Sequence, residues 1–142
     1  MIDSNEAFWI LMMACIYMHI LDDFVLQGVC LSDMKQESWW RKLIGYDLKN
    51  SIYSHDYVCA LLIHALEWAI GINIPIFFYT LYKGVDMNMN FLCINIIVNT
   101  VVHAFVDNMK ANELQINLIE DQLCHFLQIV ITVSAFIMRG WL

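Results

Sequence analysis

Charge is scarce in this chain of 142 residues. Only 15% of residues are charged and 61% are hydrophobic, against about 25% and 45–50% in soluble domains. One proline and five glycines leave little material for linkers, so a single domain is expected over residues 1–142. The five cysteines (Cys15, Cys30, Cys59, Cys93 and Cys124) form no C-x-x-C pair, and their number is odd. That pattern gives neither a cysteine zinc site nor a disulfide framework, and most of these residues read as small hydrophobes. Positive charge is scarcest of all. Seven Lys and Arg stand against fourteen Asp and Glu, for a net charge of −7. This excludes a surface built to neutralise phosphates, and with it nucleic acid as a partner. No Lys or Arg precedes Lys35, whereas Asp3 and Glu6 come early; the first apolar run is therefore not expected to be a cleaved signal peptide. There is no internal repeat and no low-complexity tract.

Apolar length is what the chain has in abundance. Four stretches, at about 7–26, 57–82, 91–107 and 118–138, approach or exceed the roughly 20 residues a membrane-crossing helix needs. Strands are far shorter, at about 5–6 residues. The expected fold is all-α: an integral membrane bundle of four transmembrane helices, the second bent near Pro75. Lys35, Arg41, Lys42 and Lys49 lie between the first two stretches and Lys110 between the last two, with Lys83 and Arg139 on the opposite side. The positive-inside rule then makes the two larger loops cytoplasmic and both termini external, in a bacterial (host) inner membrane. Trp39 and Trp40 beside Arg41 and Lys42 read as a segment lying on the membrane surface; an ordinary amphipathic loop helix is the equal alternative. Membrane lipids are the first partners expected, with a homo-oligomer or a host membrane protein as further ones.

That topology brings the ionisable groups of the apolar stretches to one depth. "HILDD" supplies His19 and Asp23, the second helix His64, "HAFVD" His103 and Asp107, and "DQLCH" Asp121 and His125. Each pair is spaced i,i+4, which puts both residues on one helical face with Cβ atoms about 5–6 Å apart. Two such side chains can reach one metal, or the carboxylate can orient a ligating imidazole from behind. Asn95 and Asn99 extend one stripe, Gln128 and Thr132 the other. These stripes must face the bundle interior, because lipid cannot satisfy them. An aspartate at mid-membrane costs about 2.5–3.5 kcal/mol, less near the interface, and no Lys or Arg lies on these faces. A bound divalent metal ion would offset the cost; so would protonation of the carboxylates.

Mixed imidazole and carboxylate ligands suit zinc first, with manganese or iron as alternatives. Four histidines and three aspartates exceed one tetrahedral shell, so either some aspartates stand behind the ligands or two metals share the site. Asp107 and Asp121 are candidates for catalysis as well as ligation. Glu67, one turn beyond His64, is a candidate further ligand or general base, with a protonated core glutamate as the alternative. Asp22 lies about 100° from Asp23 on an ideal helix and is expected to face water. His55 and Asp56 read as the start of the second helix, and the nine methionines as packing or lipid-facing material.

In these motifs the chain resembles a family of phage and bacterial membrane proteins, the domain of unknown function 3307. That family carries H-x-x-x-D-F-x-L-Q, here His19, Asp23, Phe24, Leu26 and Gln27. A histidine early in the second helix follows (His64), then H-x-x-x-D (His103, Asp107) and D-Q-x-x-H (Asp121, Gln122, His125). The resemblance covers about residues 19–125. Asp22 departs from it, since a small residue is usual there. More distantly, the family is similar to membrane-bound metal-dependent hydrolases, which implies a metal site and hydrolysis. The expected function is a metal-dependent hydrolase at the cytoplasmic membrane interface, acting on a phospholipid or another amphiphilic ester. The alternative is a non-enzymatic phage-encoded membrane protein with a structural metal or a proton-linked His/Asp site that modulates host processes.

Overall fold

The computed structural model describes residues 4–45 and 48–140. The described residues form six α-helices and no strand. Helix α1 spans Ser4–Leu21 and runs into a π-helical turn at Asp22–Leu26. Two short helices follow, α2 (Gly28–Met34) and α3 (Glu37–Ile44). Three long ones complete the chain: α4 (Asp56–Lys83), α5 (Met89–Ala111) and α6 (Leu118–Met138).

Local sequence sets the ends of these helices. Asn117 caps α6 through a reciprocal box: its side chain accepts from the Ile119 and Glu120 amides, and Glu120 accepts from the Asn117 amide. Such caps contribute about 1 kcal/mol. Asn88 caps α5 by accepting from the Phe91 amide. With that cap in place, and with Asn108 and Lys110 able to continue a helix into a polar setting, α5 is longer at both ends than the apolar stretch at 91–107. Helix α4 passes through Pro75 without interruption and ends at Gly84, whose φ of 66° suits a residue without Cβ.

The long helices form a ring, α1–α4–α5–α6, in which each packs on two neighbours. The α4–α5 pairing is the most extensive and α5–α6 the least. The interior divides into two zones. One is apolar, built from Leu11, Cys15, Ile72, Ile76, Val133 and Phe136 among others. The other, towards the α2–α3 end, is polar. The outward faces carry Trp9, Ile63, Phe78, Val101, Phe105 and Ile131, all exposed. An apolar exterior of this extent far exceeds the patches that water-soluble domains tolerate. Four segments are long and apolar enough to cross a membrane, the shortest having 21 residues. At 1.5 Å per residue that is about 31 Å, close to the hydrocarbon thickness of a bilayer.

The segment between α1 and α4 is folded onto the bundle. Gly28 adopts φ 61°, a conformation that L side chains rarely adopt, and there the chain leaves the π-turn and enters α2. The Asn112 side chain, at the end of α5, then accepts from the Glu37 amide at 2.7 Å and donates to the Lys35 carbonyl at 3.1 Å. Trp40 is buried, donates to the Met34 carbonyl and stacks on Tyr53. Of the Trp39–Trp40 pair expected at the membrane surface, Trp40 is therefore turned into the protein.

Candidate metal centre

All seven residues expected as ligands lie in the polar zone: His19 and Asp23 from the first helix, His64 from α4, His103 and Asp107 from α5, Asp121 and His125 from α6. The four histidines are fully or almost fully buried, as are Asp107 and Asp121. Asp23 is mostly enclosed.

The distances are informative because few of them belong to hydrogen bonds. His125 Nε2 lies 3.3 Å from Asp107 Oδ1 and 3.4 Å from Asp121 Oδ1, yet hydrogen-bonds to neither. His64 Nε2 is 3.4 Å from Asp23 Oδ1, which is itself buried without a hydrogen bond. His64 Nε2 and His103 Nε2 face each other at 3.2 Å. A four-coordinate ion with ligands at about 2.0–2.1 Å holds neighbouring ligand atoms roughly 3.3 Å apart. The cluster repeats that spacing among nitrogen and oxygen atoms from four helices. Buried polar atoms are ordinarily paired, so several unpaired ones converging at this separation fit ligands better than a hydrogen-bonded core.

Among the described residues, two groups could hold an ion: Asp23, His64 and His103; and His103, Asp107 and His125. His103 belongs to both. The same nitrogen cannot serve two metals, so the groups are alternative seats for one ion. Of the two arrangements open from sequence, this favours one metal with carboxylates standing behind it.

Charge points the same way. Two cations enter the site from outside the helix faces that the sequence marked. Lys35, only 8% exposed, places Nζ 2.5 Å from Asp107 Oδ2. Lys110 places Nζ 2.6 Å from Asp121 Oδ2. The expectation of aspartates without a cationic partner is thus corrected. Lys35 lies in the folded-back α2 segment, and Lys110 lies one turn past the end of the apolar stretch. Asp22, Asp23, Asp107 and Asp121 set against these two lysines leave two negative charges, which one divalent ion balances.

Asp22 is a second correction. It is 3% exposed and does not face water. The π-helical turn is the cause: the Gln27 amide donates to the Asp22 carbonyl in an i→i+5 bond, which widens the turn and changes where successive side chains point. Asp22 and Asp23 then sit on either side of one imidazole. Asp22 Oδ2 is 3.5 Å from His64 Nδ1, and Asp23 Oδ1 approaches Nε2. Neither Asp22 Oδ2 nor His64 Nδ1 has a hydrogen-bond partner; a carboxylate drawn onto Nδ1 would fix the tautomer that leaves Nε2 to ligate.

His19 is placed beside the candidate ligands, not among them. The Trp68 indole N–H can only donate, and it lies 2.8 Å from His19 Nδ1. That nitrogen therefore accepts, and Nε2–H donates to Gln122 Oε1 at 3.0 Å. The orientation of the Gln122 amide follows: its NH2 donates to Asp23 Oδ2 and Asp121 Oδ2, both at 3.2 Å. Both His19 nitrogens are spent on tying α1 to α4 and α6. Glu67 is likewise not brought to the cluster: it is exposed on α4 and belongs to neither group. Three residues along a helix leave it about 60° off the His64 direction. Trp68, at i+4, takes the inward place, where it stacks on His103 with centroids 4.3 Å apart. His125 also stacks on His103, at 4.1 Å, and lies 5.6 Å from Trp68.

Trp68, Gln122, Lys35 and Lys110 were not singled out as functional from sequence. The i+4 spacing from His64 was the available signal for Trp68, and its place inside D-Q-x-x-H the signal for Gln122. Nothing in the sequence pairs Lys35 with Asp107, 72 positions away.

Deeper in the bundle the polar stripes satisfy one another. Asn99 bonds Asn95 and Thr132, and Gln128 Nε2 donates to the Asn99 carbonyl and side chain at 2.7 and 2.8 Å. No family model matches this chain, and no curated protein or solved structure matches it either.

Proposed function

We propose that this chain is a membrane-bound metal-dependent hydrolase whose site opens at the cytoplasmic interface, with a phospholipid or another amphiphilic ester as substrate class. The supporting observation is the convergence of imidazole and carboxylate atoms from four helices at 3.2–3.7 Å, with Asp23 Oδ1, Asp121 Oδ1 and His125 Nε2 among them buried without a hydrogen bond. Either Asp23, His64 and His103 or His103, Asp107 and His125 would hold the ion, zinc being the metal that suits them best. Such an ion supplies Lewis acidity and makes water a competent nucleophile near neutral pH. Asp22 and the His19–Trp68–Gln122 chain position the ligands. Asp121, paired with Lys110, and Asp107, paired with Lys35, are the carboxylates placed to take a proton during the reaction.

A second reading rests on the same lysines. Two ammonium groups already offset half of the carboxylate charge, and two protonated histidines would complete the balance without a metal, leaving a structural or proton-linked core. Elemental analysis separates the two. The hydrolase reading expects stoichiometric divalent metal in carefully prepared protein. It also expects turnover of a lipid-like phosphoester or ester that is lost on chelation and recovered on adding zinc. Metal near background would sink it in favour of the proton-linked core; metal with no turnover across a broad ester panel would leave a structural ion.

The orientation is testable independently. Cys30 is exposed on α2, so a single-cysteine variant that retains it reports on the α1–α4 segment. A membrane-impermeant thiol reagent is expected to leave it unlabelled in intact cells and to label it in inverted vesicles. Labelling from outside would reverse the topology and move the site to the external face.

A further inference from the structure

Two concavities adjoin the polar zone. One, of about 290 Å³, is polar; Gln27, Ser32, Lys35, Gln36 and Lys110 line it, with Asp107 also on its wall. Lys35, Lys110 and Gln27 bring donors to these walls beside Ala111 and Leu114, and the Gln27 amide nitrogen is buried without a partner. Asp107, the one acid, is already held by Lys35 and belongs to a candidate ligand group. The other concavity is an apolar groove of about 510 Å³ between α5 and α6, the least tightly paired neighbours in the ring. Val102, Val106, Leu127 and Ile131 are among its walls. Gln128, nine-tenths buried on the same wall, leaves Oε1 without a partner.

The two line up along one helix face. Val102, Val106 and Lys110 are spaced by four on α5, so one stripe carries both the apolar wall and the ammonium group. From Val106 to Phe91, the last wall residue on α5, the groove runs roughly 22 Å along the axis. It leads away from the lysine end towards the opposite end of the bundle. That is the course of an acyl chain whose head group is held at the interface, and a chain in general contact with lipid would not require a basic, donor-lined pocket at that end.

We infer that the donor-lined pocket between α2 and α5 takes the phosphate of an anionic lipid whose acyl chain lies in the α5/α6 groove. The inference deepens the hydrolase reading by naming its substrate class as a lipid phosphoester, and it rests on that reading only for what happens after binding. An ion in the His103–Asp107–His125 group would draw Asp107 towards itself and release donor capacity on Lys35 for the phosphate oxygens.

The test is binding, measured on purified full-length chain in detergent, with short-chain phosphatidate, the matching phosphatidylcholine and inorganic phosphate as probes. Phosphatidate is expected to bind roughly ten-fold or more tightly than either of the others, the gain over phosphatidylcholine coming from charge-assisted bonds and the gain over inorganic phosphate from the buried chain. Ser32→Asp adds a carboxylate to the pocket and should remove that preference. Val106→Trp fills the groove and should weaken phosphatidate towards the inorganic phosphate value. Lys110→Gln should weaken it as well, with rescue by Lys110→Arg. Because Lys110 also neutralises Asp121, the first two variants carry the test if Lys110→Gln fails to fold. Equal binding of phosphatidate and phosphatidylcholine would overturn the inference; so would inorganic phosphate binding as tightly as phosphatidate, or Ser32→Asp leaving the preference intact. The hydrolase reading fails separately. A protein that selects phosphatidate and never cleaves it upholds this inference alone, whereas one that cleaves esters without selecting phosphatidate upholds the hydrolase alone.

Discussion

Replacing His103 with phenylalanine is expected to reduce bound metal from stoichiometric to background while the bundle stays folded. His103 is common to both candidate seats, so no arrangement of the remaining ligands restores either one. Its ring also stacks on both Trp68 and His125. Alanine at this position would open a cavity and cost about 2–5 kcal/mol in the manner of other large-to-small core changes, which would confuse loss of ligand with loss of fold. Phenylalanine keeps the ring stack and removes only the nitrogens. His19→Gln provides the contrast. His19 spends both nitrogens on Trp68 and Gln122, so this variant should keep its metal, with affinity lowered by at most the 10–100-fold typical of residues that orient ligands. Metal content by mass spectrometry, with the helical circular dichroism signal as the fold control, distinguishes the outcomes. Full metal retention in His103→Phe would refute the assignment of the site. Loss in His19→Gln as complete as in His103→Phe would return His19 to the ligand set.

The second large effect is expected at Asp107. Its two oxygens face different partners: Oδ1 lies 3.3 Å from His125 Nε2 and 3.7 Å from His103 Nε2, and Oδ2 meets Lys35 at 2.5 Å. Asp107→Asn should remove, through the first oxygen, the metal held by the His103–Asp107–His125 seat. Through the second it should destabilise the fold by about 3–5 kcal/mol, the usual cost of leaving a buried charge without its partner. Pairing it with Lys35→Met removes the orphaned cation. The double variant should recover most of the lost thermal stability and none of the metal. That non-additivity is the signature of direct coupling; a double variant as unstable as Asp107→Asn alone would mean that Lys35 stabilises the chain by something other than this pair. High salt should change the coupling little, because both groups are shielded from solvent.

These two sites also mark how far the amino-acid order reaches. The i,i+4 pairs of "HAFVD" and "DQLCH" needed nothing beyond helical periodicity to be placed on common faces, and burial of those faces follows from the cost of exposing them to lipid. His19 was legible in position and not in role. Its role depends on Trp68, 49 residues away, and on the rule that an indole only donates. Asp22 and Glu67 were misplaced for opposite reasons. For Asp22 an ideal α-helical angle was applied across what is a π-helical turn. For Glu67 the angle was right in principle, but the inward place on that turn of α4 went to the larger apolar ring of Trp68, whose burial is worth more.

Taken alone, the sequence determined the all-helical fold and the four segments able to cross a membrane, because apolar runs of that length have few other satisfactory conformations. It also determined that His64, His103, His125, Asp107 and Asp121 would meet, because spacing and depth are both linear properties of a helix. Tertiary structure alone decided the charge balance and the ligand geometry. Lys35 reaches Asp107 only because Gly28 admits a left-handed backbone and Asn112 clamps the following turn to α5. The two candidate ligand groups share His103 only because the π-turn, α4, α5 and α6 converge on it. Contacts of that kind depend on how separate helices dock, and no periodicity within one helix encodes them.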